Sequence, residues 1–173
     1  MTVLSSSVAA QAVPHQRSAR QRWARRVSVA AAAWAVVFAA VHVYWLAGGT
    51  AGLPGGMSLL DNRPLLIIDV LAVPALAVGG YLAWLLPGGG PRWLRRRLRL
   101  VSGWTVAVVL LAHSLPTVPD WARLILTEAR LTDLPALQRF SAGLYEPWFL
   151  VGGLLFLAAT LISSTGTPSS NAT

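Results

Sequence analysis

The chain has 173 residues, of which 55% are hydrophobic and 12% charged, and it carries a net charge of +8. Soluble domains average about 25% charged residues, and the apolar residues here fall into long runs, so a soluble globular domain is excluded and one membrane-embedded unit is indicated. All 14 basic residues are arginine and cysteine is absent, which excludes disulfides, thiolate nucleophiles and cysteine-bound metal clusters.

The positive charge does not mark a nucleic-acid binder. The arginines flank apolar runs, where the phosphates of anionic lipid headgroups are the nearest partner. Residues 1–26 are expected to be a disordered basic segment, low in periodicity to about Gln16. A collar of Arg17, Arg20, Arg22, Arg25 and Arg26 comes after it, with Trp23 as an interfacial anchor. The next apolar run exceeds the roughly 7–15 residues of a signal-peptide core. An uncleaved span is therefore expected.

Four runs approach the ~20 apolar residues that a spanning helix needs. They are 27–47, 65–86 with Pro74 inside it, 98–115 with Arg99 at its edge, and 144–163 with Pro147 in its first turn. The connection ending in Asp61-Asn62-Arg63-Pro64 reads as a helix start, and Gly88-Gly89-Gly90 lacks the Lys-Ser/Thr of a phosphate loop and reads as a turn. Between the third and fourth runs, 120–130 predicts a short amphipathic helix capped by Asp120, with Trp121, Leu124 and Ile125 on its apolar face. The fold class is thus an all-α, four-helix transmembrane bundle over 27–163, with a short outer amphipathic helix and a flexible polar tail, 164–173.

Orientation is set by the arginines. Ten lie in the N-terminal collar and the second loop with its edge, and four (Arg63, Arg123, Arg130 and Arg139) in the other two loops. The positive-inside rule then predicts a multi-pass protein with both termini in the cytoplasm.

With that topology, each span brings one ionisable group to within roughly 10 Å of its outward end: His42, Asp69, His113 and Glu146. Structural readings stand beside each. Glu146 before Pro147 complements a helix N-terminus, His113 meets terminal carbonyls, and His42 shares an aromatic belt with Tyr44 and Trp45. Asp69 is the least easily explained, an isolated acid among Ile67, Ile68, Val70 and Leu71, and it requires a partner from His42, His113 or Arg63. Two histidines and two carboxylates also suit zinc or a non-haem metal, although no H-E-x-x-H spacing is present. His42 and His113 as axial haem ligands, or an Asp–His proton pair, are further options. No cofactor is specified, and no catalytic residue is assigned.

His42-Val43-Tyr44-Trp45-Leu46-Ala47-Gly48-Gly49 and Tyr145-Glu146-Pro147-Trp148-Phe149 together resemble a family of small four-span bacterial membrane proteins, a domain of unknown function common in high-GC Gram-positive bacteria. The likeness implies fold and location and carries no activity. Asp69 and His113 lie outside both motifs. The function expected is an accessory membrane protein whose outer polar layer and aromatic rim bind a ligand, a protein partner or a second copy of the chain. The alternative is a small membrane enzyme or redox carrier using His42, Asp69 and His113. A transport subunit would need polar groups through the full depth, which the apolar inner halves of the spans do not supply.

Overall fold

The computed structural model describes residues 4–87 and 96–165, with side chains from Ala19 onward. The expected glycine hinge, with Arg92 and Arg95, and most of the expected tail lie outside the described residues. The described chain is helical, with no strand, and four helical stretches are long and apolar enough to cross a membrane. Helix α1 is Leu4–Leu46, α2 Arg63–Leu85, α3 Arg96–His113, α4 Val118–Leu126, α5 Ala136–Phe140 and α6 Glu146–Ser164.

Helix α1 begins far upstream of residue 27, so the basic collar, expected to be disordered, is helical. Its alanines, arginines and glutamines are good helix formers, and one arginine is tied down. The Arg20 guanidinium donates to the Ile162 and Thr165 carbonyls at 3.0 and 3.1 Å. Arg96, at the start of α3, donates to the Ser163 and Ser164 carbonyls at 3.1 and 2.7 Å. Two cations thus satisfy the orphan carbonyls at the C-terminus of α6 and oppose its dipole.

Helix α2 starts where Asn62 accepts a hydrogen bond from the Leu65 N–H at 3.3 Å, with Pro64 in the first turn, and it continues through Pro74. Helix α4 starts at Val118, two residues before the expected cap. Pro119 is compatible with the first turn, so Asp120 sits inside that turn and not at its cap. The helix ends at Leu126, where Thr127 bonds back to the Arg123 carbonyl, short of the expected Arg130. Trp121 is tied to the bundle through its indole N–H, which donates to the Ala142 carbonyl at 2.8 Å, while Ile125 and Leu126 are 80% and 81% exposed.

The last helical run starts at Ala136, eight residues before the expected Leu144. A π turn over Ser141–Tyr145 joins α5 to α6, and the Glu146 N–H reaches the Ser141 carbonyl. Pro147 has no N–H to give, and widening the preceding turn lets the helix pass it without breaking. Glu146 is therefore interior to a continuous helical run and does not sit at a helix N-terminus.

The helices pack as two antiparallel pairs, α1 with α2 and α3 with α6, joined where α1 meets α6. Trp34, Phe38 and Phe156 form the aromatic centre, with the Trp34 and Trp148 rings stacked at 5.9 Å and Trp34 edge-on to Phe156 at 6.3 Å. Close approach depends on small residues, because lipid supplies no hydrophobic drive between helices. A Cβ on Gly152 would lie 2.4 Å from the Trp34 ring, and one on Gly80 would lie 3.2 Å from the Ala35 Cβ.

Candidate functional site

His42, Asp69, His113 and Glu146 lie at one end of the bundle, and they form two pairs. The first joins α1 to α2. His42 Nδ1 lies 2.5 Å from Asp69 Oδ1, with the side chains 12% and 4% exposed. With Asp69 ionised, the imidazole donates from Nδ1, and the ring nitrogen Nε2 is left over. Phe38, one turn earlier, tilts against the His42 ring at 4.5 Å, and Trp45 meets it edge-on at 5.3 Å. Asp69 Oδ2 is buried without a hydrogen-bond partner. Of the three partners that the sequence offered Asp69, the structure selects His42. Arg63 is exposed and makes no ion pair among the described residues. Six residues along a helix separate it from Asp69 by about 9 Å and about 120° of rotation.

The second pair joins α3 to α6. His113 Nε2 lies 3.8 Å from Glu146 Oε1, beyond a hydrogen bond, and its side chain is 55% exposed against 9% for Glu146. Ser141, on the π turn, donates to Glu146 Oε1 at 3.2 Å, and Ser114 donates to the Glu146 carbonyl at 3.1 Å. Glu146 Oε2 is buried and unpartnered. His113 packs on Phe149 at 4.1 Å, and Phe149 meets Phe38 edge-on at 5.3 Å. A run of rings, His42–Phe38–Phe149–His113, therefore links the two pairs.

Tyr44 and Trp45 are not part of either pair. They hold the connection that follows α1. The Trp45 indole N–H donates to the Ala51 carbonyl at 2.9 Å, and the Tyr44 hydroxyl accepts from the Ala51 N–H at 3.2 Å, so one residue's backbone is gripped from both sides. Gly48 turns the chain at φ 92°, and the Tyr44 ring covers Gly49 so closely that a Cβ there would lie 2.2 Å from it. Tyr145 completes the clamp. Its hydroxyl donates to the Gly52 carbonyl, and its ring stands 6.2 Å from that of Trp45. The two sequence motifs thus meet in space, and Tyr44, Trp45 and Tyr145 between them fix a loop.

The sequence reading missed Ser141 and the Phe38–Phe149 link. A proline at 147 inside an otherwise periodic helix was the available sign of a local widening that brings Ser141 to Glu146. The four residues do not assemble into the metal or the axial-haem arrangement that stood among the options. No three His, Asp or Glu side chains converge on a common point among the described residues. The ring path from His42 to His113 is occupied by two phenyl groups.

A protein-family model described as a protein of unknown function, DUF3995, matches residues 34–156. The chain belongs to the DUF3995 family. The matched stretch contains all four residues of the two pairs and both halves of the loop clamp. Comparison with curated proteins and with solved structures finds no match.

Proposed function

We propose that this DUF3995 protein is a ligand-binding accessory protein of the bacterial cytoplasmic membrane, with the histidine-bearing end facing outward and both termini in the cytoplasm. The recognition element is the His113–Glu146 pair, and the ligand class is a small cation with hydrogen-bond donors, such as an amine. One observation carries this reading: Glu146 presents a buried oxygen without a partner beside a half-exposed imidazole. Such a carboxylate retains acceptor capacity that its surroundings do not use, and a charged donor entering past His113 satisfies it. His42–Asp69 supports the site from the neighbouring helix pair and is too enclosed to meet a ligand directly.

The test is a titration of the protein in lipid nanodiscs with methylamine, putrescine and arginine amide, read from the His113 ring NMR signals. Saturable shifts at His113, lost in Glu146→Gln and kept in Asp69→Asn, are expected. Equal shifts in Glu146→Gln would overturn the reading. Metal analysis and an absorption spectrum of the same sample test the enzyme or redox-carrier alternative, which requires a bound metal or haem. Orientation is checked separately. The chain has no native cysteine, so Thr50→Cys, on an exposed loop position, should label from outside intact cells, and a reporter after Thr173 should report the cytoplasm. Reversed labelling would invert the topology.

A further inference from the structure

The arginine-bearing end of the bundle carries a second site, independent of the histidine pairs. Two adjoining grooves open along α1 there. One, of about 340 Å³, is bounded by Arg22, Arg25, Arg26 and Val29. The other, of about 330 Å³, is walled by Gln21, Arg25, Ser28, Val29, Trp84 and Pro87, between α1 and the end of α2.

Ser28 is the informative residue. It is 1% exposed, and its hydroxyl is buried with no hydrogen-bond partner. Hydroxyls inside helices commonly bond back to a carbonyl one turn earlier. Ser102 and Thr105 do so here, each at 2.9 Å, to Leu98 and Val101. Ser28 does not, and an unpartnered buried hydroxyl is costly unless something else meets it. Arg25 is exposed and likewise makes no ion pair or hydrogen bond among the described residues. It has no acid to find at this end, because the chain's six acidic residues all lie between Asp61 and Glu146, on the spans and connections of the histidine-bearing end. Beside these polar groups stand an apolar wall, Val29, and an indole, Trp84, 55% exposed at the level where aromatic side chains favour headgroups.

We propose that this groove binds the headgroup of one anionic phospholipid. The Arg25 guanidinium pairs with the phosphate, and the Ser28 hydroxyl donates to a phosphate oxygen. The Gln21 amide meets the polar remainder of the headgroup, and an acyl chain descends along Val29 and Trp84. The charge of the arginine end argues for an anionic headgroup. The apolar wall argues for a lipid over a free anion.

Native mass spectrometry and thermal melts of the full chain in neutral detergent test this, with phosphatidylglycerol, phosphatidylcholine and inorganic phosphate as separate probes. One phosphatidylglycerol should be retained and should raise the melting temperature. Phosphatidylcholine should bind several-fold more weakly, and phosphate should neither stabilise nor displace the lipid. Arg25→Gln should weaken phosphatidylglycerol binding about fivefold, the effect of one arginine near an anionic surface. Arg97→Gln, exposed on α3 and lining neither groove, should weaken it less. Ser28→Ala separates binding from folding. Without lipid it should melt no lower than the parent, since the lost hydroxyl had no partner; with phosphatidylglycerol it should lose part of the stabilisation. Equal retention of the two lipids, displacement by phosphate, equal losses in Arg25→Gln and Arg97→Gln, or an undiminished lipid effect in Ser28→Ala would each overturn the proposal.

Discussion

The two pairs each join a histidine to a carboxylate at the same end of the bundle, yet they differ in closure. His42 and Asp69 touch at 2.5 Å, with the Phe38 and Trp45 rings against the imidazole, while His113 and Glu146 stand 3.8 Å apart with the imidazole half in the open. The chain path beyond each helix differs as well. After α1 the chain turns at Gly48 and is gripped at Ala51 by Tyr44 and by Trp45, whose ring also stands against His42. After α3 it enters a 3₁₀ turn at Leu115–Thr117 and continues into α4, whose Trp121 bonds to Ala142 of the π turn that precedes Glu146. A histidine and an acid at matched depth therefore do not define one kind of site. The enclosure of the imidazole separates an internal tie from an open pair.

The largest effect that separates the pairs is expected at Asp69. Asp69→Ala leaves His42 enclosed without its partner and should destabilise the protein by about 3–5 kcal/mol, while Asp69→Asn, which keeps a hydrogen bond, should cost less. Thermal or denaturant unfolding in detergent measures this. A loss below about 1 kcal/mol would show that the closed pair is not a tie. Next come the clamp residues. Trp45→Phe and Tyr145→Phe each remove one hydrogen bond to the loop, worth about 1 kcal/mol, and should speed hydrogen exchange in 49–53 before the spans are affected. Unchanged exchange there would mean that the loop holds itself.

His113→Gln should change stability by at most about 0.5 kcal/mol, because a half-exposed pair at 3.8 Å contributes little. Glu146→Gln is expected to be the mildest for stability, close to zero, since Oε2 has no partner to lose, although it removes the amine response. Double-mutant cycles sharpen the contrast. Coupling between His42 and Asp69 should be large and that between His113 and Glu146 near zero. Similar coupling energies would erase the distinction between a closed and an open pair.

The sequence displayed the bundle through hydropathy. The run 27–47 ends within one residue of the end of α1, although α1 begins far upstream of it, and the runs 65–86 and 98–115 fall within two residues of α2 and α3, because a lipid-facing surface forces continuous apolarity. Asp69 was legible as the unusual residue for the same reason, since an acid at that depth turns away from lipid. Its choice of His42 was not, because a helix's rotational setting depends on contacts such as Phe38 on Phe149 that span most of the chain. Glu146 was misread as a helix-start residue because proline in a first turn and proline behind a π turn leave the same local sequence. Tyr44 and Trp45 read as membrane-belt aromatics, and nothing in their spacing foretold that both would bind the backbone of Ala51.

The contacts of Arg20 with the end of α6 bear on how the molecule is made. Those partners lie 142 and 145 residues apart in the chain, and the Trp34 indole N–H finds its acceptor, the Trp148 carbonyl, 114 residues downstream. At about 5–20 residues synthesised per second, the first helix waits in the bilayer for roughly 7–29 s before its last partner exists. During that interval α1 has α2 against one side, while the side built around Trp34 faces lipid with its N–H unsatisfied. Helix α1, made before the other described spans, is thus completed last, and closure of the bundle falls to α6.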